Sequence, residues 1–286
     1  MPSRNIKLMI VATHPADSFD QAGGTLAHHV AQGDSVTAVV ATTGVRSHHW
    51  KLADQKRAGG SDVDIEEMVN EAVEEKLEEV RNACRIMGFE DIRDLGFEDD
   101  DILVSQDKID AIADAITPNT RAIMPTQLNG RTADMAAIQS VADKYGLDIY
   151  EDAAQALGAK FQGQCAGTFG KCACISFYPA KMLGGLGDGG LVLTADRKIY
   201  NKLLLLRDHG RTNGGEITVW GFNSRLDNLQ AAFLNFQFDN YDQVITRRRE
   251  IAAQYQESLK DVGQVDLPPE PSMNSDHFDV YQNYEI

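Results

Sequence analysis

Apolar residues come along this chain in short runs and helical stripes separated by turn residues, and that rhythm predicts a repeating order of strand, helix and strand. Ile6 to Thr13 reads as a buried strand, Thr25 to Gln32 as a helix after a Gly23-Gly24 turn, and Ser35 to Thr43 as a second strand. The polar stretch Arg46 to Ser61 reads as a loop. Ile65 to Met87 reads as a long helix closed by Gly88, followed by a short strand over Asp91 to Gly96 and a helix over Gln106 to Ile116. The alternation continues with strand Arg121 to Thr126, helix Ala133 to Tyr145 ended by Gly146, and strands Asp148 to Glu151, Ala173 to Phe177 and Gly190 to Thr194. Helices are expected over Asp196 to Leu206, Leu226 to Phe236 and Asp242 to Lys260, before a proline-rich stretch at Pro268, Pro269 and Pro271. Such repeats predict a parallel sheet with helices on both faces. The change of pattern after Tyr241 reads as entry into a smaller terminal domain.

Composition narrows the possibilities. With 286 residues, 43% of them hydrophobic, the chain can bury a substantial core. The formal net charge is −16, with acid concentrated between Asp62 and Asp114, including Glu98 to Asp101. A surface of that sign repels phosphate backbones, so nucleic acid is not an expected partner. The acidic run itself reads as solvated helix faces and a loop, and Arg247-Arg-Arg249 as one solvated helical turn. Cys84, Cys165, Cys172 and Cys174 lack the paired spacing of a metal site and fit reduced thiols in a cytoplasmic protein. No run of about 18 apolar residues and no signal peptide is visible, so no membrane partner is expected.

The chemistry is concentrated around Lys181. It stands in Ser176-Phe-Tyr-Pro-Ala-Lys181 ahead of Gly184, Gly185, Gly187, Gly189 and Gly190, and is preceded in the chain by Tyr150-Glu-Asp-Ala-Ala-Gln155. A lysine amine forms a Schiff base with a cofactor aldehyde only when it is held beside it and can shed its proton. A carboxylate must keep the cofactor's pyridine nitrogen protonated, and Asp152 is the candidate. Ligand-binding groups sit at the carboxyl ends of parallel strands. Asp152 and Lys181 each lie just past a predicted strand, and Ser176 near the end of one, where its hydroxyl could take a phosphate oxygen.

These segments, with Thr120 to Gly130, Gly187-Asp-Gly-Gly190, Leu205-Leu-Arg-Asp-His-Gly-Arg211 and Gly221-Phe-Asn-Ser-Arg-Leu226, resemble the DegT/DnrJ/EryC1/StrS family of sugar aminotransferases over about Thr117 to Ile286. The resemblance implies the large domain of a fold-type I transferase dependent on pyridoxal 5′-phosphate. In it Lys181 carries the cofactor and then shuttles a proton, Asp152 pairs with the pyridinium, Gln155 lies against the ring and Ser176 holds phosphate. Asn223 reaches the phosphate of a second subunit's cofactor, which implies a homodimer. The implied substrates are a keto-sugar nucleotide and an amino-acid donor such as glutamate.

Val11-Ala-Thr-His-Pro-Ala-Asp17, Gly23-Gly-Thr-Leu26, Thr42-Thr-Gly44, Ala83-Cys-Arg-Ile-Met-Gly88 and Asp94-Leu-Gly-Phe97 resemble instead the PIG-L/LmbE family of zinc N-deacetylases. That resemblance implies zinc at His14 and Asp17. The family's general base falls at Ala16, so the expected base is lost unless Asp20 or another group substitutes, and its third ligand has no counterpart. His48 and His49 come too early to match that ligand and read as exposed loop residues. His28 and His29 read as surface or packing residues of a helix.

The expected architecture is therefore α/β: a Rossmann-like segment over residues 1–116, a partial fold-type I large domain over 117–240, and the start of a small C-terminal domain over 241–286. The Ser-Gly-Thr phosphate loop of the aminotransferases has no match, and Val280 to Ile286 reads as a strand of the small domain that normally continues. Three readings stand. The first is a pyridoxal-phosphate aminotransferase-like protein whose front end is replaced while Lys181, Asp152 and Asn223 persist, the second a metal-dependent deacetylase acting on an N-acetylated sugar, and the third an inactive fusion or truncated product.

Overall fold

A computed structural model of the protein describes residues 6–12, 15–16, 19, 23–45, 62–97, 106–114, 116, 120–272 and 275–286. The chain divides into two compact units, Met1–Arg121 and Ala122–Ile286. The expected loop at Arg46 to Ser61, the acidic run Glu98 to Asp101, and His14, Asp17, Asp20, His48 and His49 lie outside the described residues.

In the first unit, β1 (Lys7–Ala12), β2 (Ser35–Thr42) and β3 (Asp91–Phe97) form a parallel sheet in that order, with Lys7 beside Ser35 and Thr37 beside Asp91. Helices α1 (Gly23–Ala31), α2 (Asp62–Met87) and α3 (Gln106–Asp114) alternate with the strands. Parallel strands need crossovers, and the 3.6-residue apolar stripe of α2 supplies a face to cover the sheet. Val36, Ala38 and Val40 of β2 are buried with Leu26 of α1 and with Val80 and Cys84 of α2. Burial pushes the Cys84 thiol up to about 11, which leaves it protonated and inert at neutral pH. His28 bonds Gln32 at 2.7 Å and His29 bonds Asp34 at 2.7 Å, so both histidines serve local structure.

The second unit is built on β4 (Ala122–Ile123), β5 (Asp148–Asp152), β8 (Cys172–Ser176) and β9 (Gly190–Leu193), hydrogen-bonded in that order. The first three are parallel, with Asp152 beside Cys174. The fourth is antiparallel to β8, with Ser176 facing Gly190. This departs from the all-parallel expectation. The 177–189 segment contains no helix, and without a crossover the chain can only return along its neighbour in the opposite direction.

α4 (Met135–Tyr145) links β4 to β5 and starts at Asp134, whose side chain accepts from the Ala137 N–H. α5 (Arg197–Leu206), α6 (Asn228–Phe238) and α7 (Tyr241–Leu259) complete the helices of this unit. Alanines 153, 156 and 159 are fully buried with Ile175, Phe177, Leu234, Ile245 and Val280. Their small side chains let successive turns lie close under α7. The phenol of Tyr241 donates to Leu157 O at 2.9 Å.

Two short antiparallel strands, β6 (Lys160–Phe161) and β7 (Gln164–Cys165), form a hairpin that alternation could not reveal, because two residues show no period. β10 (His277–Phe278) pairs with β6. Residues 280–286, expected as a strand, run without regular structure. The Arg247-Arg-Arg249 turn is not simply solvated. Arg247 pairs with Glu250, but Arg248 donates to the carbonyls of Tyr281 and Gln282, and Arg249 to that of Asp279. Guanidinium groups satisfying carbonyls replace ladder partners that this segment lacks.

His277 gives the unit a pH dependence. Its Nδ1 lies 3.0 Å from the Thr132 hydroxyl and its ring meets Phe161 edge-on. Burial lowers its pKa below 6.5; the nearby Arg131 adds to this, while Asp279, Asp134 and Asp276 oppose it. The unfolded chain therefore binds this proton more readily than the folded one. The stabilisation is complete above the unfolded value and is lost as pH falls through the folded one. Thermal melts between about pH 7.5 and about pH 5 are expected to show a falling midpoint that flattens in His277→Gln; equal slopes in the two proteins would refute this source.

Candidate functional site

The carboxyl ends of β5 and β8 lie side by side, because the two strands are parallel and in register from Tyr150 beside Cys172 to Asp152 beside Cys174. Asp152 is the last residue of β5 and Ser176 the last of β8. Gln155 follows three residues after Asp152. Lys181 sits in the 177–189 loop that joins β8 to β9 at this same edge. Four of the sequence-predicted site residues are thus brought to one end of one sheet.

The loop bearing Lys181 is closed tightly by backbone bonds: Phe177 N–H to Gly189 O at 2.8 Å, Gly185 N–H to Phe177 O at 2.7 Å, and Lys181 N–H to Tyr178 O at 2.9 Å. Ser176 Oγ accepts from the Tyr178 N–H at 3.1 Å, leaving its own proton free to donate. Lys181 is half-buried, and its ammonium has no hydrogen-bond or ion-pair partner among the described residues.

Asp152 Oδ1 accepts from the Ala154 N–H at 3.0 Å, and Oδ2 has no partner among the described residues. Its charge reaches Cys174 on the facing strand. That thiol is pushed above its ordinary pKa by burial first and by Asp152 second. Gln155 Oε1 accepts from the Asn129 N–H at 2.8 Å, which ties it to the 128–130 turn.

Glu151, adjacent to Asp152, was not singled out from the sequence. It is 2% exposed and points to the opposite face, as consecutive strand residues do. Its carboxylate accepts from Gln127 Nε2 at 2.9 Å and from the N–H groups of Gly167, Phe169 and Gly170 at 2.8, 2.7 and 3.0 Å. Gln127 in turn accepts from the Ala133 N–H at 2.7 Å. The available signal was a glutamate two residues after Ile149, on the same buried face of the strand, since a carboxylate there needs several donors.

Asn223 is exposed on a ribbon formed with residues 206–209, where it bridges Asp208. The ribbon is closed by His209 N–H to Phe222 O at 2.8 Å and by an Arg225–Asp208 ion pair at 2.8 Å. Only glycine fits at 210, since a Cβ there would come within 1.7 Å of Val219 O.

For the zinc expectation the described residues offer no support. Among them no group of three or more His, Cys, Asp and Glu side chains could hold a metal ion. Ala16 occupies a turn whose carbonyl accepts from the Phe19 N–H.

Comparison with known proteins places this arrangement in a class. The structure of DesV from S. venezuelae in complex with a ketimine intermediate matches with a TM-score of 0.59 and 35% identity, covering 71% of this chain and 53% of that one. A DegT DnrJ EryC1 StrS aminotransferase from Brucella abortus matches with a TM-score of 0.59 and 26% identity, covering 98% of this chain and 58% of that one. The fold is that of the fold-type I transferases. A UDP-N-acetyl-3-dehydro-alpha-D-glucosamine 3-aminotransferase from Acidithiobacillus ferrooxidans is 44% identical over 164 residues, 57% of this chain and 44% of that protein. The DegT/DnrJ/EryC1/StrS aminotransferase family model matches residues 97–285, and the chain belongs to that family. A second family model, GlcNAc-PI de-N-acetylase, matches residues 9–144. The chain spans less than half the length of curated relatives it matches, 46% and 44% in two of them.

Proposed function

We propose that this chain carries the lysine and carboxylate groups of a pyridoxal-phosphate site and transfers an amino group from an amino-acid donor, glutamate, to a keto-sugar nucleotide. The observation that carries the reading is a pair of groups at one sheet edge, Lys181 Nζ and Asp152 Oδ2, that have no partner among the described residues, in a chain of this family. An amine and a carboxylate that do not neutralise each other suit a ligand with a carbonyl at one end and a basic ring nitrogen at the other. Ser176 adds a hydroxyl for a phosphate. The donor set therefore fits pyridoxal phosphate.

When bound, the cofactor supplies a carbon that takes up the amino group and a ring that accepts an electron pair. The chain's own residues do the rest. Asp152 would accept the ring N–H and keep that nitrogen cationic, because an adjacent carboxylate favours the charged form. Gln155, anchored through Asn129, would lie against the ring. Lys181 would hold the cofactor, and its Nζ, as a free amine, would take a proton from the donor's α carbon and give it back. The keto-sugar nucleotide class follows from what the relatives' names say of those proteins.

A homodimer is part of the proposal. Asn223 is flanked by Trp220, 97% exposed, and Phe222, 70% exposed, and bulky apolar groups gathered on one ribbon suit a protein partner. We also place the protein in the cytoplasm, where its thiols would stay reduced; no described helix is long and apolar enough to cross a membrane. Breaks near residues 116 and 240 are the proposed domain boundaries, to be read by limited proteolysis.

The test is reductive trapping. Added pyridoxal phosphate is expected to give a visible band that borohydride removes, leaving a pyridoxyl mass on the peptide containing Lys181. No band at saturating cofactor, or a label spread over surface lysines, would overturn the assignment.

A further inference from the structure

Gln282 approaches Lys181 from 100 residues beyond Met182 and brackets it. Its Oε1 accepts from the Met182 N–H at 3.0 Å, and its Nε2 donates to Ala180 O at 3.2 Å. Those groups belong to the peptide planes immediately before and after Lys181. The orientation of two successive planes defines φ and ψ of the residue between them, so one primary amide fixes the backbone of Lys181 and with it the direction of its Cα–Cβ bond.

Gln282 is itself held rigidly. Arg248 donates to Tyr281 O at 3.0 Å and to Gln282 O at 3.1 Å. Val280 is fully buried, and its N–H donates to Gly130 O at 2.8 Å. Tyr281 adopts φ 53, a left-handed conformation costly for a bulky residue, and its hydroxyl donates to Pro269 O at 2.7 Å. A Cβ at Gly130 would come within 2.5 Å of Gln282 N, so the two segments lie in direct backbone contact. The same segment reaches the other side of the candidate site. Asn283 Nδ2 donates to Asn129 Oδ1 at 3.0 Å, and the Asn129 N–H donates to Gln155.

We propose that Gln282 is the positioning residue for Lys181, and that the segment from Asp279 to Asn283 sets the lysine and Gln155 in common register. The proposal rests on the reading of Lys181 as the cofactor lysine. Supporting groups that fix a reactive side chain matter because a misplacement of about 1 Å can cost on the order of 100-fold in rate.

Three proteins separate positioning from mere packing: the unchanged chain, Gln282→Ala and Gln282→Glu. In Gln282→Ala the Met182 amide is expected to exchange with deuterium at least ~10-fold faster, and the dissociation constant for pyridoxal phosphate to rise about 10-fold, with little change in the urea midpoint. Gln282→Glu keeps an acceptor for Met182 but no donor for Ala180. It should restore slow exchange at Met182 and recover only part of the cofactor affinity. Unchanged affinity and trapping rate in Gln282→Ala would overturn the proposal, as would an affinity loss matched by an equal loss of global stability.

A cofactor-free reading keeps the two proposals distinguishable. The acetylation rate of Lys181, taken relative to Lys260, is expected to differ between the unchanged chain and Gln282→Ala even if the protein binds no pyridoxal phosphate. No band in the unchanged chain would end the cofactor reading alone; equal acetylation rates would end the role of Gln282.

Discussion

Asp152→Asn is expected to leave the chain folded and still able to attach pyridoxal phosphate at Lys181, while slowing amino transfer from glutamate on the order of 100- to 1000-fold. The asparagine carbonyl can still accept from the Ala154 N–H, so the turn after β5 keeps its bond. It carries no charge, however, and cannot hold a ring nitrogen in its cationic form. A single-turnover measurement of the cofactor's spectrum with glutamate reads the chemical step directly. A rate within a few-fold of the unchanged chain would remove Asp152 from the role assigned to it. An independent reading comes from Cys174, whose thiol is raised by burial and by the charge of Asp152. Neutralising Asp152 removes the second cause, so the Cys174 pKa should fall and its alkylation profile should move to lower pH.

Glu151→Ala, one residue away, is expected to act on stability. Three backbone N–H groups and the Gln127 amide converge on the Glu151 carboxylate. Hydrogen bonds to a charged group contribute about 1.5–3 kcal/mol each, and donors left buried without a partner cost more than their mean value. A loss of about 3–5 kcal/mol is expected, against the 5–15 kcal/mol or so that holds an ordinary domain together. Urea unfolding of the two proteins measures it. A midpoint unchanged by the substitution would mean that water replaces the carboxylate at no cost. Glu151→Gln is expected to recover only part of the loss, since it keeps one oxygen but gives up the charge. The two acidic neighbours thus separate by face: Asp152 keeps one carboxylate oxygen without a partner among the described residues, whereas Glu151 is satisfied by four donors.

Long elements were legible in the sequence because a helical stripe or a run of β-branched residues repeats often enough to register. α2 and α7 were both expected and lie within a few residues of the predicted spans. The two-residue strands β6, β7 and β10 carry no period and exist through pairing with distant backbone. The antiparallel direction of β9 was hidden for a related reason, since an apolar run of four residues looks alike in either direction. Arg248 and Arg249 read as solvated because sequence gives only their charge. The carbonyls of Asp279, Tyr281 and Gln282 that they satisfy come from a segment about 30 residues later.

Much of the candidate site was local and therefore readable. Asp152, Gln155, Ser176 and Lys181 follow strands closely, and the rule that parallel strands present ligands at their carboxyl ends places them without tertiary information. By itself the sequence determined the sheet edge at which Asp152 and Lys181 stand and pointed to them as candidates, because both readings depend on neighbours a few residues apart. Only the tertiary structure decided which polar groups are spent on the fold and which stay free, and what holds Lys181 in place. That difference has a physical origin: hydrogen bonds such as Gln282 to Ala180 and Met182 join positions far apart along the chain, and no pattern in either segment announces the other.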